Sequence, residues 1–246
     1  MLVIGNYVSP YVRKVLACLE LKGLSYEIDP ITPFFGDERF ETLSPLRRVP
    51  VLVDGDLALS DSSVICAYLD EAYPERPLLP KGVADRARAR WLEEYADTRM
   101  GDVFVWRLFY PLAVQPAVWG EKGDRSVVEK TLSEEAPHVL DYLESQAPAA
   151  DFLFGLEPGL ADFSIATYFR NARWVRFAID AARWPKTAAH VARVLDHPAL
   201  ATLRPYEELC VRTPIAEQRQ ALVALGAPIS AASYGAAEPR KGLMGI

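Results

Sequence analysis

Three prolines within seven residues, Pro74, Pro77 and Pro80, separate two parts of this 246-residue chain that follow different patterns. Proline lacks an amide hydrogen and its ring obstructs the preceding turn, so no helix is expected to continue through this segment. Before it, short apolar runs alternate with helical stripes, whereas the pattern after it is helical nearly throughout. We therefore expect an α/β domain followed by an all-helical domain. The predicted boundaries are 1–75 for the first domain, 76–83 for the linker, 84–226 for the helical domain and 227–246 for an extended C-terminal tail.

The first part of the chain begins with a pattern typical of a βαβ unit. A short apolar run over 2–5 suits a buried strand, and Ser9-Pro10 places a favoured N-cap residue before a proline at the first helical position. Apolar residues then recur at helical spacing as far as Gly23, a residue type that commonly ends helices. A second strand is predicted over 25–30, parallel to the first and reached by a right-handed crossover.

A β-hairpin followed by a helix is predicted in the rest of the α/β part. An apolar run over 49–53 is followed by Asp54-Gly55 and a second apolar run, which is a strong hairpin signal. A helix is then predicted over 62–73, and a short one around 37–43. The second part of the chain is predicted to contain helices at about 84–102, 124–146, 160–177, 187–195, 198–209 and 214–225.

Composition and motif content disfavour several classes of function. The 27 Lys and Arg against 33 Asp and Glu give a net charge of −6, which disfavours non-specific binding to nucleic acid. The chain shows neither a signal-peptide pattern nor an apolar run long enough to span a membrane, so we expect a cytoplasmic protein without membrane contact. Its three cysteines form no C-x-x-C pair, which disfavours a disulfide framework and dithiol redox chemistry. Because metal-ligand spacings and nucleotide-binding motifs are missing, no metal and no cofactor are predicted.

Ser9 lies where a predicted strand gives way to a helix. Backbone N–H groups and the positive end of the helix dipole stabilise an anion at such a point, including a thiolate. A hydroxyl that donates to a sulfur favours the thiolate over the thiol. Serine is also strongly preferred as a plain N-cap, so both roles stay open for this residue.

Val49-Pro50 precedes the hairpin. A proline at this place is either the start of an edge strand or a cis-proline turn. A cis bond would turn the N–H and C=O of Val49 outward, where they can pair with an extended peptide.

Asp61-Ser62 opens the helix after the hairpin. The Ser62 hydroxyl and the amides of the first turn suit a carboxylate, and Asp61 suits an ammonium group, so the pair fits the α-amino acid end of a ligand. An N-cap with a favourable acid is the simpler alternative.

Taken together, these segments resemble the cytosolic glutathione transferases over nearly the whole chain. The resemblance is carried by Ser9-Pro10-Tyr11, Leu19-Glu20-Leu21-Lys22-Gly23, Val49-Pro50-Val51-Leu52 and Leu59-Ser60-Asp61-Ser62-Ser63-Val64-Ile65. It implies an α/β thioredoxin-like N-terminal domain, an all-α C-terminal helical bundle domain and a homodimer. The serine of the first stretch is more similar to the zeta and theta classes than to the classes that use tyrosine.

The resemblance also implies roles for individual residues. Ser9 would face the glutathione thiol, and Val49 would pair with the cysteinyl backbone beside a cis Pro50. Asp61 and Ser62 would hold the γ-glutamyl end. Glutathione is then a co-substrate, and the partner substrate is a small hydrophobic electrophile.

A pocket for that electrophile is implied in part by aromatic residues. In the family this pocket is lined by the fourth helix, which makes candidates of Tyr11, Trp106, Phe109 and Tyr110. Aromatic walls suit apolar ligands. Aromatic side chains are also common in protein cores, so this alternative stays open.

The chain departs from the family pattern at three places. Asp61 stands where most relatives carry Glu, and Arg47-Arg48 stands where many carry a glycine-lysine type of pair. Either arginine would meet a glutathione carboxylate or remain a solvated charge. Gly159 replaces the usual Ser or Thr cap of a helix, and Asp162 three residues later is expected to reach back to its first amides.

Three functions fit this resemblance. The first is a glutathione transferase that stabilises the glutathione thiolate for attack on an electrophile, or a related glutathione-dependent isomerase or peroxidase. The second, a thiol oxidoreductase, is disfavoured because it needs a cysteine where Ser9 stands. The third is a non-catalytic regulatory or scaffold protein, because a fold does not fix a function.

Overall fold

The computed structural model describes residues 1–148 and 151–241. By its internal contacts the chain divides into two compact units, one formed by Met1–Arg76 together with the segment from Pro198 onward, and the other by Pro77–His197. In the part of the chain so described, no helix is long and apolar enough to cross a membrane. The domain boundaries given by the sequence pattern stay a prediction.

The elements follow the predicted order. The strands are β1 (Leu2–Ile4), β2 (Glu27–Asp29), β3 (Val51–Asp54) and β4 (Leu57–Ser60). The helices are α1 (Pro10–Lys22), α2 (Glu38–Leu43), α3 (Ser62–Ala72), α4 (Val83–Tyr95), α5 (Gln115–Trp119), α6 (Arg125–Lys130), α7 (Ala136–Gln146), α8 (Leu160–Trp174), α9 (Pro185–Asp196), α10 (Pro198–Ala201), α11 (Arg204–Arg212) and α12 (Ile215–Ala224). A 3-10 turn at Pro33–Phe35 and π-helical segments at Ala96–Val114 and Thr131–Glu135 connect some of them.

The four strands form one mixed sheet in the order β2-β1-β3-β4. β1 and β2 are parallel, whereas β3 is antiparallel to both β1 and β4. Gly55 in the turn between β3 and β4 has φ 60°, a left-handed conformation that glycine adopts without the steric cost of a side chain. The predicted βαβ unit and the predicted Asp-Gly hairpin are therefore confirmed.

Helix α1 begins and ends where the sequence predicts. The Ser9 side chain accepts a hydrogen bond from the Val12 N–H, and proline occupies the first turn. At the other end Gly23 has φ 69°, and its N–H bonds back into the last turn. Nearly every residue between these ends is buried. The helix therefore lies in the core of the first unit.

A buried ion pair ties the C-terminal helices to α1. Arg13 of α1 and Glu207 of α11 approach to 3.5 Å, and both side chains are almost fully inaccessible to solvent. Breaking a buried pair by removing one partner leaves an uncompensated charge, which typically costs about 3–5 kcal/mol. This pair explains why α11 groups with the first unit although it follows the helical part of the sequence.

The tail lies along the outer edge of β2. Pro228 accepts from the Ile28 N–H at 2.8 Å, and the Ser230 N–H donates to Ile28 at 3.0 Å, so the tail adds backbone pairing to an edge strand. Further on, the Asp37 N–H donates to Tyr234 at 2.8 Å. The predicted extended tail over 227–246 stays a prediction, and its residues 242–246 lie outside the described residues.

A buried carboxylate fixes the tail in this place. Asp29 is fully buried and accepts from Arg219 at 2.7 Å, from the Ser233 hydroxyl at 2.9 Å and from the Tyr234 N–H at 2.6 Å. Tyr234 also packs against the apolar cluster that contains Ile4. The tail is thus part of the first unit.

Replacing Ser233 with alanine is expected to loosen the tail locally. Loss of one hydrogen bond to a buried carboxylate costs about 1–3 kcal/mol, so the tail amides should exchange at least about fivefold faster with solvent. Hydrogen exchange at the N–H groups of Tyr234 and Asp37 measures this. Ser133→Ala, whose hydroxyl bonds only to carbonyls of its own helix, is the control. Unchanged exchange at both amides would show that Asp29 does not hold the tail.

The helical part contains one continuous helical stretch from Val83 to Trp119, formed by α4, the π-helical segment and α5. The sequence pattern predicted that this helix would stop near residue 102. Gly101 and Pro111 are poor helix formers, yet both are buried together with many apolar neighbours. Burial of the apolar face outweighs local propensity here, because most helical stability in proteins comes from packing.

Asp162 is a buried residue of the second unit whose carboxylate contacts several segments of the chain. Its carboxylate accepts from the Gly159 N–H at 2.9 Å and from the Leu153 N–H at 3.0 Å, and it contacts His190 Nε2 at 2.6 Å. Its side chain is 1% exposed. The predicted return of Asp162 to the first amides of α8 is confirmed, and the carboxylate also joins α9 to the preceding loop.

Candidate functional site

The three predicted site segments meet at one end of the sheet. In the strand register Ile4 lies beside Val51, and Val51 lies beside Ser60. Because β3 is antiparallel to its neighbours, the last residue of β1, the first of β3 and the last of β4 lie at the same end. The segments that continue from these residues carry Ser9, Val49-Pro50 and Asp61-Ser62.

The Ser9 hydroxyl caps helix α1 and also keeps a hydrogen that it can donate. Its backbone is extended, with φ −72° and ψ 125°, and its oxygen accepts from the Val12 N–H at 3.4 Å. This hydrogen bond uses a lone pair and leaves the hydroxyl hydrogen able to donate. The side chain is partly exposed. The cap and the sulfur-facing role are therefore compatible in one residue.

Tyr7 is the other hydroxyl that follows β1, and sequence reasoning did not weigh it. Tyr7 is completely buried, and its ring packs against Tyr206 with 5.2 Å between ring centroids. Burial, reinforced by the charge of Glu20, raises the pKa of the Tyr7 phenol well above its ordinary value. A buried, neutral phenol is not suited to contact a ligand, which leaves Ser9 as the partly exposed hydroxyl between β1 and α1.

The Val49–Pro50 peptide bond is cis, and this part of the resemblance is confirmed. Within residues 1–148 and 151–241, no hydrogen bond uses the N–H or C=O of Val49. The residue packs closely on the end of β1, because a Cβ on Gly5 would lie 3.1 Å from the Val49 Cβ and 2.5 Å from a methyl of Val12. Val49 is thus packed beside the end of β1, and its backbone polar groups have no hydrogen-bond partner among the described residues.

Asp61 holds an unusual backbone conformation. Its φ of 97° lies in a region that side-chain-bearing residues rarely adopt, and strain of this kind is concentrated at functional sites. One oxygen, Oδ1, accepts from the N–H groups of Ser63 at 2.9 Å and Val64 at 3.2 Å. Asp61 is exposed, whereas Ser62 is buried. The carboxylate caps α3 through Oδ1, and the residue as a whole is exposed to solvent.

The two arginines before the site differ in environment. Arg47 is buried, has φ 50°, and pairs with Glu41, which also accepts from Arg240 of the tail at 3.3 Å. The Arg47 guanidinium thus forms an ion pair with the Glu41 carboxylate. Arg48 is exposed. Of the two candidates for a glutathione carboxylate, Arg48 is the accessible one, and Arg47 supports the backbone.

The aromatic candidates belong to different units of the structure. Tyr11 lies on α1 and is partly exposed, whereas the other three lie in the π-helical segment of the second unit. Phe109 is buried and packs near Trp174, with ring centroids 6.2 Å apart. Trp106 and Tyr110 are partly exposed and pack on each other at 5.7 Å. Phe109 is thus the most buried of these three, and a role for any of the four candidates in an electrophile pocket stays a prediction.

The three cysteines are buried thiols. Cys18 and Cys66 approach each other to 3.7 Å between sulfur atoms where α1 packs on α3. Burial, with the nearby charge of Glu207, raises the pKa of Cys210 to about 12. A thiol with such a pKa is protonated at neutral pH and is a poor nucleophile. Cys210 is therefore not suited to thiolate chemistry.

The family model described as "Glutathione S-transferase, N-terminal domain" matches residues 3–77. A glutathione S-transferase of Hyoscyamus muticus is 30% identical to this chain over 215 residues, which is 83% of this chain and 97% of that relative. The chain belongs to the glutathione S-transferase family. The match covers all of the sheet except Leu2 and includes all three site segments, so the residues that meet at the end of the sheet lie in the part that the family model describes.

Two further glutathione S-transferases extend the comparison. Glutathione S-transferase Z1 of Arabidopsis thaliana is 46% identical over 78 residues, which is 30% of this chain and 35% of that relative. The similarity to Z1 thus spans about a third of its length. The crystal structure of a glutathione S-transferase from Rhodospirillum rubrum F11 has a TM-score of 0.75 at 26% identity, with 82% of this chain and 90% of that chain covered. The predicted fold class, a thioredoxin-like domain with a helical C-terminal part, is confirmed.

Proposed function

We propose that this glutathione S-transferase binds glutathione at the end of the sheet and activates its thiol for attack on an apolar electrophile. The observation that supports this most is the register that brings Ser9, Val49 and Asp61 to the same end of the sheet. Each segment offers a different group: a hydroxyl, a free stretch of backbone and a capped helix start. An extended tripeptide with a thiol at its centre needs this combination.

Each group has a proposed contact. The Val49 backbone pairs with the cysteinyl residue of glutathione, as an added strand pairs with an edge. The γ-glutamyl carboxylate lies at the N-terminus of α3, where amides and the helix dipole favour an anion, beside the Ser62 hydroxyl. The free Asp61 oxygen receives the γ-glutamyl ammonium. The exposed Arg48 receives the glycyl carboxylate.

Chemistry at this site needs no cofactor beyond the co-substrate glutathione. The Ser9 hydroxyl donates a hydrogen bond to the sulfur, which stabilises the thiolate and lowers the pKa of the bound thiol. The thiolate then attacks an electrophilic carbon; a carbon–sulfur bond forms, and the leaving group departs with its electron pair. We further propose that the protein acts as a homodimer in the cytoplasm.

Calorimetric titration with glutathione tests the binding part of the proposal. Wild-type protein should bind glutathione, and Asp61→Asn should weaken binding by about tenfold, because the ammonium loses its charged partner while the amide oxygen still caps α3. Asp56→Asn, in the exposed hairpin turn, is the control for a loss of charge and should bind as wild type does.

The same titration separates the proposal from its main alternative. If folded wild-type protein gives no binding heat and is not retained on immobilised glutathione, the enzyme proposal fails and a non-catalytic regulatory or scaffold role on the same fold is favoured. Binding without conjugation of a chlorodinitrobenzene-type substrate would keep the glutathione site and remove the transferase activity.

A further inference from the structure

An open groove of about 420 Å³ lies in the first unit, remote from the proposed glutathione site. Its lining comes from the last turn of α1, the loop that leads into β2, and the segment between α10 and α11. Glu27 pairs with Leu2 at the start of both strands, and Asp29 pairs with Ile4 at their ends. The loop before Glu27 therefore lies at the opposite end of the sheet from Ser9. The groove's volume is within the range of small-molecule sites.

The groove contains a carboxylate with no cationic partner. Glu20 accepts from the Tyr26 hydroxyl at 2.9 Å, and among the residues that the structure describes no lysine, arginine or histidine pairs with it. Lys22, the basic residue in the last turn of α1, does not pair with Glu20. Its ammonium donates to the carbonyls of Tyr73 and Arg76 at 2.8 Å each and approaches Asp70. The negative charge of Glu20 is thus left for a ligand.

Two tyrosine rings stand beside this carboxylate. Tyr26 and Tyr206 both line the groove. The Tyr206 ring packs against the buried ring of Tyr7. Burial and the charge of Glu20 raise the pKa of the Tyr26 phenol far above its ordinary value, so the Tyr26 phenol stays neutral. The last turn of α1 adds the negative end of a helix dipole. Aromatic faces and negative potential together select a cation.

We propose that this groove is a second binding site, for a small organic ammonium ion that carries an apolar or aromatic arm. Glu20 pairs with the ammonium group, and Tyr26 and Tyr206 contact it through their ring faces. Leu203 and Pro228 lie against the apolar arm. This groove takes a cation, whereas the proposed glutathione site takes an anionic tripeptide. The proposal for the groove therefore does not depend on the proposed function.

Titration with benzyltrimethylammonium, followed by NMR of the intact protein, tests the proposal. Shifts should be confined to signals of the groove, and the neutral carbon isostere neopentylbenzene should bind at least about tenfold more weakly because it lacks the charge. Glu20→Gln should weaken binding of the cation by about tenfold. Glu27→Gln, which removes the same charge from an exposed residue outside the groove, should not.

A second variant tests the proposal even if Glu20→Gln fails to fold. Thr202 is an exposed residue of the groove lining, so Thr202→Trp should fill the groove and abolish the shifts without disturbing the core. Equal affinity for the cation and its isostere would overturn the proposal. So would equal effects of Glu20→Gln and Glu27→Gln, or no shifts at millimolar cation with folded wild-type protein. Glutathione binding, titrated separately, is expected to be unchanged in every variant.

Discussion

Replacing Ser9 with alanine should lower kcat/KM for glutathione conjugation by about a hundredfold, since loss of one donor to a developing or bound anion has effects of this size. The structure leaves the hydroxyl hydrogen of Ser9 able to donate while its oxygen caps α1. Affinity for glutathione should change by no more than about threefold, because the backbone of Val49 and the start of α3 make the other contacts. The pKa of the bound thiol should rise, which ultraviolet absorbance of the thiolate measures as a function of pH.

The loss of a helix cap must be separated from the loss of a sulfur contact. Ser9→Ala removes the cap of α1, which costs about 1 kcal/mol of stability. Asp124→Ala removes an equivalent cap from α6, where the carboxylate accepts from the Ser126 N–H at 2.8 Å. This control should lose similar stability and keep its activity. Ser9→Thr retains a hydroxyl and should keep most of the rate. Equal activity of Ser9→Ala and wild type would limit Ser9 to capping.

Asp162→Ala should have the largest effect on stability, with a loss of about 3–5 kcal/mol in the free energy of unfolding. The carboxylate is buried and accepts from two backbone N–H groups, those of Gly159 and Leu153, besides its contact with His190. Without it, buried donors lose their acceptor, and each unsatisfied group costs about 1–3 kcal/mol. Urea denaturation measures the change as a lower midpoint at constant slope.

Two further variants define the origin of that loss. Asp180→Ala removes an exposed carboxylate that accepts from the Ala182 N–H, and it should cost less than about 1 kcal/mol. His190→Gln and its combination with Asp162→Ala form a double-mutant cycle. The two losses should not add, since both residues belong to one network. Strict additivity would contradict a direct contribution of the Asp162–His190 contact.

Local signals in the sequence were sufficient to predict most elements of the fold. The serine-proline start and Gly23 end of α1, and the Asp54-Gly55 turn, agree with the structure because a few neighbouring residues decide such features. The helix that continues to Trp119 was predicted too short. Its continuation depends on burial by distant parts of the chain, which a propensity pattern does not contain.

The family resemblance implied that the candidate residues surround one ligand, whereas the residue patterns by themselves did not bring them together. A sequence shows that Ser9 starts one helix and Asp61 another. Only the strand register, with Ile4 beside Val51 and Val51 beside Ser60, shows that both lie at one end of the sheet. The burial of Tyr7 likewise follows from packing against Tyr206, a residue far along the chain. No sequence signal pointed to the contact between Tyr7 and Tyr206.

What the sequence by itself determined is the order of the elements and the change of pattern at the prolines after α3. These depend on contacts between near neighbours in the chain. Only the tertiary structure decided that α11 and the tail belong with the sheet, through the Arg13–Glu207 pair and the carboxylate of Asp29. Such contacts join residues nearly two hundred positions apart or more, and they form because buried charges must find partners.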